Sequence, residues 1–367
     1  MALIERHYIA ERGLSSEKTT DFLDREYLQL GKLGNKSDRG GLYPASAAST
    51  DKGEGVITVS STALSASRIL VLDIGLSSPT PTPQSGAIVE ITRDRAARTL
   101  VDGLSMPDGL VVDRESQRMF WTCMGLPGES DGAVYSANVD GSDCKIVVAP
   151  GLVNTPKQLA NDTLNQRLYF CDREGAGVFR CGYDGTSLQR ILSGVKGGSS
   201  GVEELTWCVG VAPVPSVGKL FWSQKGPSKG RKGRIFSAKI PSLDEDCVDV
   251  GSIQCVLDNL PEPIDLEYDD QSQELYWTDR GEIPLGNSLN KIKLDASGES
   301  ALIQDAHGHR VIARNFHEAI GLKLDPDTEE IIVTDLGGSV YLLDRRSGSK
   351  TVLFSDERRA FTGVSYV

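Results

Sequence analysis

The sequence predicts an all-β protein, a single six-bladed β-propeller with four-stranded blades, and three observations predict it. One short strand recurs: Phe120-Trp121-Thr122-Cys123, Tyr169-Phe170-Cys171-Asp172, Phe221-Trp222-Ser223-Gln224, Tyr276-Trp277-Thr278-Asp279 and Ile332-Val333-Thr334-Asp335, with a weaker copy at Leu70-Val71-Leu72-Asp73. The closing residues, 73, 123, 172, 224, 279 and 335, are separated by 50, 49, 52, 55 and 56 residues. A period near fifty built from short strands is the spacing of propeller blades, and six copies mean six blades. The flanks repeat as well, which a chance motif would not do.

Within a repeat the order of elements can be read directly. An apolar run closing on an acidic turn comes first, as in Pro107 to Asp113, Pro263 to Asp269 and Ala319 to Asp325. The aromatic strand follows, then a strand ending in an Asp-Gly turn, as in Ala133 to Gly141 and Val178 to Gly185. A fourth strand such as Lys145 to Val148 or Gln189 to Leu192 completes the blade. The chain ends settle ring closure. Phe361 to Val367 matches the first strand of a blade and nothing follows it, whereas Arg68 to Ile74 reads as a second strand, with Gly86 to Thr92 and Thr99 to Val101 as the third and fourth. The C-terminus is therefore expected to supply the inner strand of the N-terminal blade, which removes an open sheet edge.

With Pro263 to Asp269 ahead of it, Tyr276-Trp277-Thr278-Asp279 resembles the YWTD repeat of low-density-lipoprotein-receptor six-bladed propellers, and the resemblance covers about residues 55 to 367. Cys123 and Gln224 depart from the closing Asp of that motif, and Val333 departs from its Trp. Blades with these departures are expected to rely more on apolar packing than on the family's polar contacts. Residues 1–54 stand apart as an N-terminal extension, partly helical over Ser15 to Leu33 and Gly/Ser-rich over Lys36 to Gly55.

Charge and composition narrow the function. A net charge of −12 and a pI near 5.0 argue against nucleic-acid binding, which needs a basic surface. No stretch is long and apolar enough to cross a bilayer. The start lacks the apolar core of a signal peptide, yet the cysteines and two sequons, Asn35-Lys36-Ser37 and Asn161-Asp162-Thr163, point to the secretory pathway or the extracellular space, with Cys247 and Cys255 placed to close a local disulfide. Buried free thiols are the competing reading. The seven cysteines form no CxxC pair and have no neighbouring His, so no zinc site or other metal site is expected.

Chemistry in a propeller is expected where the inner strands start, at the channel mouth. Aligned there, the third inner-strand positions are Gly109, Gln158, Glu204, Asp265, Gly321 and Gly363, preceded by Asp108, Lys157, Glu203, Ile264, Ile320 and Thr362. Polar groups on three consecutive blades facing glycines would make a pocket with a polar wall and room opposite. His317, Glu204 and Asp265 are the candidate catalytic groups, His317 because its unperturbed pKa is near neutrality. Lys157, Gln158, Asp108, Trp207 and Tyr268 are the candidate substrate contacts. Each also has a plain structural reading: backbone satisfaction for the polar groups, blade packing for Trp207 and Tyr268, and a solvated hairpin for Lys225, Lys229, Arg231 and Lys232.

No nucleophile elbow, phosphate loop or His-Glu-x-x-His is present. A calcium-dependent lactonase would need Glu204, Asn161 and Asp265 to converge. Two readings then stand. One is a non-catalytic YWTD binding module for a protein or a small ligand. The other follows from whole-chain layout, a lone propeller with an N-terminal extension, which looks like the stand-alone fungal hetero-Diels–Alderases of tropolone-sesquiterpenoid pathways. That resemblance implies a pericyclase of secondary metabolism that needs no cofactor, joining a tropolone o-quinone methide to a sesquiterpene alkene, and hence small apolar polyketide or terpene substrates.

Overall fold

The computed structural model describes residues 68–196, 202–295 and 309–367. Their 24 strands form six four-stranded antiparallel sheets. Five blades run from inside out in chain order, beginning with the inner strands β4 (Pro107–Asp113), β8 (Pro156–Asp162), β12 (Cys208–Val214), β16 (Pro263–Asp269) and β20 (Ala319–Leu324). The sixth blade has the order β24-β1-β2-β3, its outer strands being β2 (Gly86–Ile91) and β3 (Ala97–Leu104), with β24 (Phe361–Tyr366) paired antiparallel to β1 (Ile69–Asp73) through Ile69 opposite Tyr366 and Val71 opposite Val364. The C-terminal strand thus closes the ring, as expected. Residues 1–54 lie outside the described residues.

The aromatic motif exists because each blade needs two apolar faces. Successive residues of a strand point to opposite sides, so Phe120 packs toward Leu159 and Phe170 of the next blade while Trp121 packs toward Leu70 and Leu72 of the previous one. The same split sends Phe221 to the Trp277 side and Trp222 to the Tyr169 side. Trp121, Trp222 and Trp277 are fully buried. The described core is consequently six layers, one per blade junction.

The motif's polar half fastens those layers. The Thr122 hydroxyl accepts from Gly109 N–H in its own blade (2.9 Å) and donates to Lys157 C=O of the next (2.8 Å). Ser223 makes the same relay from Gly210 to Ile264, Thr278 from Asp265 to Ile320, and Thr334 from Gly321 to Thr362. In the N-terminal blade Leu72 has no hydroxyl to offer, and the Thr362 hydroxyl reaches Pro107 C=O (3.0 Å) instead. The closing Asp then holds the loop ahead of the inner strand. Asp172 accepts from Asn154 and Thr155 N–H, and Asp335 from His317 N–H.

Two expectations change here. Gln224 does not leave its blade to apolar packing: its amide donates to Val195 C=O and accepts from Val195 N–H, spanning a longer loop than Asp could reach. Cys123 does fit the expectation, since it is buried among apolar neighbours, and the adjacent turn is held instead by Asp131, which accepts Leu126 N–H (2.7 Å). The expected Cys247–Cys255 disulfide is not formed. All seven cysteines are free, with Cys144, Cys247 and Cys255 exposed and Cys123, Cys171, Cys181 and Cys208 buried. Burial pushes the Cys123, Cys181 and Cys208 thiols up to about 12, which suppresses the reactive thiolate. Thiol labelling of the native protein without reductant should therefore modify three cysteines quickly and the other four only after denaturation. A mass showing two hydrogens fewer, with Cys247 and Cys255 unlabelled, would restore the bridge.

Candidate functional site: the mouth at the inner-strand starts

Five inner strands start as the alignment anticipated, and one does not. Glu203 and Glu204 lie in a 3-10 turn (Glu203–Thr206) ahead of β12, so the residues level with Asp108-Gly109 are Val209-Gly210. The third positions are then Gly109, Gln158, Gly210, Asp265, Gly321 and Gly363, and the polar run over three consecutive blades is broken. Nor do the glycines provide room. A Cβ on Gly210 would stand 2.0 Å from Ile264 C=O oxygen and one on Gly321 2.2 Å from Thr362 oxygen, because neighbouring inner strands touch backbone to backbone at this level.

Three of the expected side chains do converge. Lys157 Nζ lies 2.7 Å from Asp108 Oδ1, and Gln158 Nε2 donates to Asp108 Oδ2 (3.1 Å), all three groups being buried. Asp265 is not part of this group: its Oδ1 accepts from Leu266 N–H and its Oδ2 from Leu322 N–H of the next blade, both at 2.9 Å. Burial raises its pKa well above the usual carboxylate range despite those two donors, so its carboxyl links two blades. His317 is exposed in the loop before β20, and its backbone N–H is held by Asp335. Tyr268 is near the end of β16, at the opposite mouth, stacked 6.3 Å from Phe221. Asn161 is at that end too, its amide on Tyr183 (3.3 Å), so Glu204, Asp265 and Asn161 sit at three depths and do not form a lactonase-type metal set. Its place inside β8 is also unlike the exposed loop that a glycosylated sequon occupies.

The residue directly after each motif adds a feature that the sequence analysis missed. At Ile74, Met124, Arg173, Arg280 and Leu336 the backbone N–H donates to the loop ahead of the inner strand, to Ala360, Met106, Thr155, Glu262 and Glu318 respectively, which makes these positions equivalent. Lys225 holds the sixth place. The ring of six is buried throughout and splits in half: Ile74, Met124 and Leu336 are apolar, and Arg173, Lys225 and Arg280 on three consecutive blades are cationic. Trp207 lies between two of the cations, with Arg173 5.2 Å and Lys225 5.4 Å from its ring. Glu262 sits 3.6 Å from Lys225 and 3.5 Å from Arg280. Lys225 is therefore no part of the solvated hairpin, whose exposed members are Lys229, Arg231 and Lys232. The Lys157 ammonium, 3.1 Å from Met124 sulfur, stands where the two halves meet.

Comparison with known proteins finds two fungal relatives. The 3-hydroxyacyl-CoA dehydrogenase-like protein LAM1 of Cochliobolus heterostrophus is 42% identical over 373 residues, covering 100% of this chain and 76% of LAM1. The chain belongs to the LAM1 family. A low-density lipoprotein receptor-related protein 1 of Pyricularia oryzae is also 42% identical, over 82% of this chain and 98% of its own length. No family model matches the chain. Among solved structures, nidogen in its complex with laminin superposes with a TM-score of 0.60 at 15% identity, covering 82% of this chain and 98% of that one, a likeness of fold. The βαβ crossovers of a dinucleotide-binding sheet have no counterpart among the described residues, where the only helices are 3-10 turns.

Proposed function

We propose that this LAM1-family propeller is a secondary-metabolite enzyme that needs no cofactor and that it catalyses a hetero-Diels–Alder cycloaddition of a tropolone o-quinone methide with a sesquiterpene alkene at the inner-strand-start mouth. The observation that carries the reading is the divided ring, cationic at Arg173, Lys225 and Arg280 and apolar at Ile74, Met124 and Leu336. A cycloaddition asks a protein for this pair of surfaces. The alkene needs an apolar wall, and the heterodiene oxygen, which gains negative charge in the transition state, needs fixed donors in a dry site. Holding both partners in register contributes further, since orientation by itself can supply several kcal/mol. Lys157 is suited to polarise the oxygen, and exposed His317 could take a proton during formation of the diene.

The test is product formation from a tropolone and terpene-alkene pair with and without the protein, scored for rate and stereochemistry. Lys225→Met keeps the buried stem, and Glu262 keeps Arg280 as a partner, so the melting temperature should change little while the rate falls on the order of 10- to 100-fold. His317→Ala and Glu204→Gln should lower turnover less. Background rate and background stereochemistry in the presence of the wild-type chain would defeat the reading. A second reading, a non-catalytic binding module, is favoured by the receptor-related name of the Pyricularia relative. It predicts the background outcome together with saturable capture of a ligand.

A further inference from the structure

The inner strands end on the face opposite the divided ring, and their ends wall a cavity of about 720 Å³. Eight carboxylates and three basic side chains line it. Much of this acid belongs to the fold. Asp113, Asp269 and Asp325 each accept a backbone N–H two residues ahead, from Glu115, Gln271 and Asp327, and so shape the hairpins between inner and second strands. The acidic lining alone therefore identifies no ligand.

The tyrosines supply an independent sign. Tyr366, 4% exposed, lines the cavity at the end of β24, and its hydroxyl is buried without a hydrogen-bond partner. The hydroxyl of Tyr268, which also lines the cavity, is likewise unpartnered. Buried polar groups are rarely left in that state, and two at one cavity mark a surface that a bound molecule completes. Burial keeps both phenols neutral, so each offers lone pairs as well as a proton.

The kind of molecule follows from how the charge is distributed. A lining with five more carboxylates than basic groups raises the local concentration of cations. Among the described residues no three acidic, His or Cys side chains converge as a metal ion would require. Spread-out acceptors suit an extended ligand with several N–H donors better than a compact ion. We propose that this cavity binds a linear aliphatic polyamine, with ammonium groups on the rim carboxylates Glu115 and Asp270 and one N–H donated to each of the Tyr366 and Tyr268 hydroxyls.

The experiment is calorimetric titration of the full chain with spermine at low ionic strength, beside a magnesium chloride titration matched for ionic strength. One saturable site is expected. Tyr366→Phe should weaken spermine about fivefold or more, the worth of one hydrogen bond, while leaving the melting temperature equal or higher because an unsatisfied hydroxyl is removed. Glu115→Gln with Asp270→Asn should weaken it by a larger factor. If Tyr366→Phe fails to fold, Tyr268→Phe carries the same expectation. The proposal is overturned if spermine gives no saturable heat, if magnesium competes equally at matched ionic strength, or if the folded tyrosine variants bind as tightly as wild type.

Discussion

Removal of Phe361–Val367 should abolish cooperative unfolding of the propeller. The segment contributes Phe361, Val364 and Tyr366, exposed by 0%, 2% and 4%, to the core layer between the closing blade and the blade of β20. Truncating a single buried side chain of this size typically costs about 2–5 kcal/mol, and a whole domain is stable by about 5–15 kcal/mol. Three such losses consume that margin before the backbone pairing is considered. The deletion also strips β1 of its inner partner and takes away Thr362, whose carbonyl accepts from Thr334 and whose hydroxyl donates to Pro107. Circular dichroism melts measure the outcome. A peptide of the deleted sequence, added in trans, should restore a cooperative transition by adding itself to β1. A truncated chain that melts at the parent temperature, with the parent's steepness, would show that the ring does not depend on this closure.

The fold was legible because blade geometry dictates residue types at fixed intervals. Each second strand needs two bulky apolar residues for two junctions, one hydroxyl to tie adjacent inner strands, and one carboxylate to hold a loop, and those four demands recur about every fifty residues. The blade of β12 was misaligned for a definite reason. Its inner strand starts at Cys208, without the Pro that opens β4, β8 and β16, and the loop before it carries Glu203-Glu204-Leu205 in a position that imitates a strand start.

The site was less legible than the fold. Arg173, Lys225 and Arg280 follow their motifs in what reads as a loop, where charge ordinarily means solvent. Only the recurrent hydrogen bond from this position to the loop ahead of the inner strand shows that it is a buried ring. A signal was nonetheless present: in the repeat alignment the position reads Ile, Met, Arg, Lys, Arg, Leu, and the three cations fall on consecutive blades. Tyr268 and Asn161 were counted in the right strands, but a strand runs the whole depth of the channel, and residues at its two ends serve different mouths.

The inner-strand glycines were misread for a related reason, and they give the second large effect. A sequence shows that glycine lacks a side chain but not what occupies the space, and here the neighbouring backbone occupies it. Gly210→Ala should destabilise the protein by more than about 4 kcal/mol, the range reserved for changes that the surroundings cannot absorb. The added methyl would meet Ile264 carbonyl oxygen at 2.0 Å and Ser223 Oγ at 3.0 Å, and the first of these belongs to the backbone of β16, which is paired with the second strand of its blade. Relief would require separating β12 from β16, which would break the Gly210–Ser223–Ile264 relay of 2.8 and 2.7 Å hydrogen bonds. Gly218→Ala is the matched control: nothing lies within 4 Å of its added methyl, and its φ of +65° leaves only the left-handed backbone penalty of about 1–2 kcal/mol. Urea unfolding midpoints of the two variants decide the matter. Should Gly210→Ala unfold at the same midpoint as Gly218→Ala, the inner strands are not in backbone contact at this level, and the space assigned to them is open to a ligand after all.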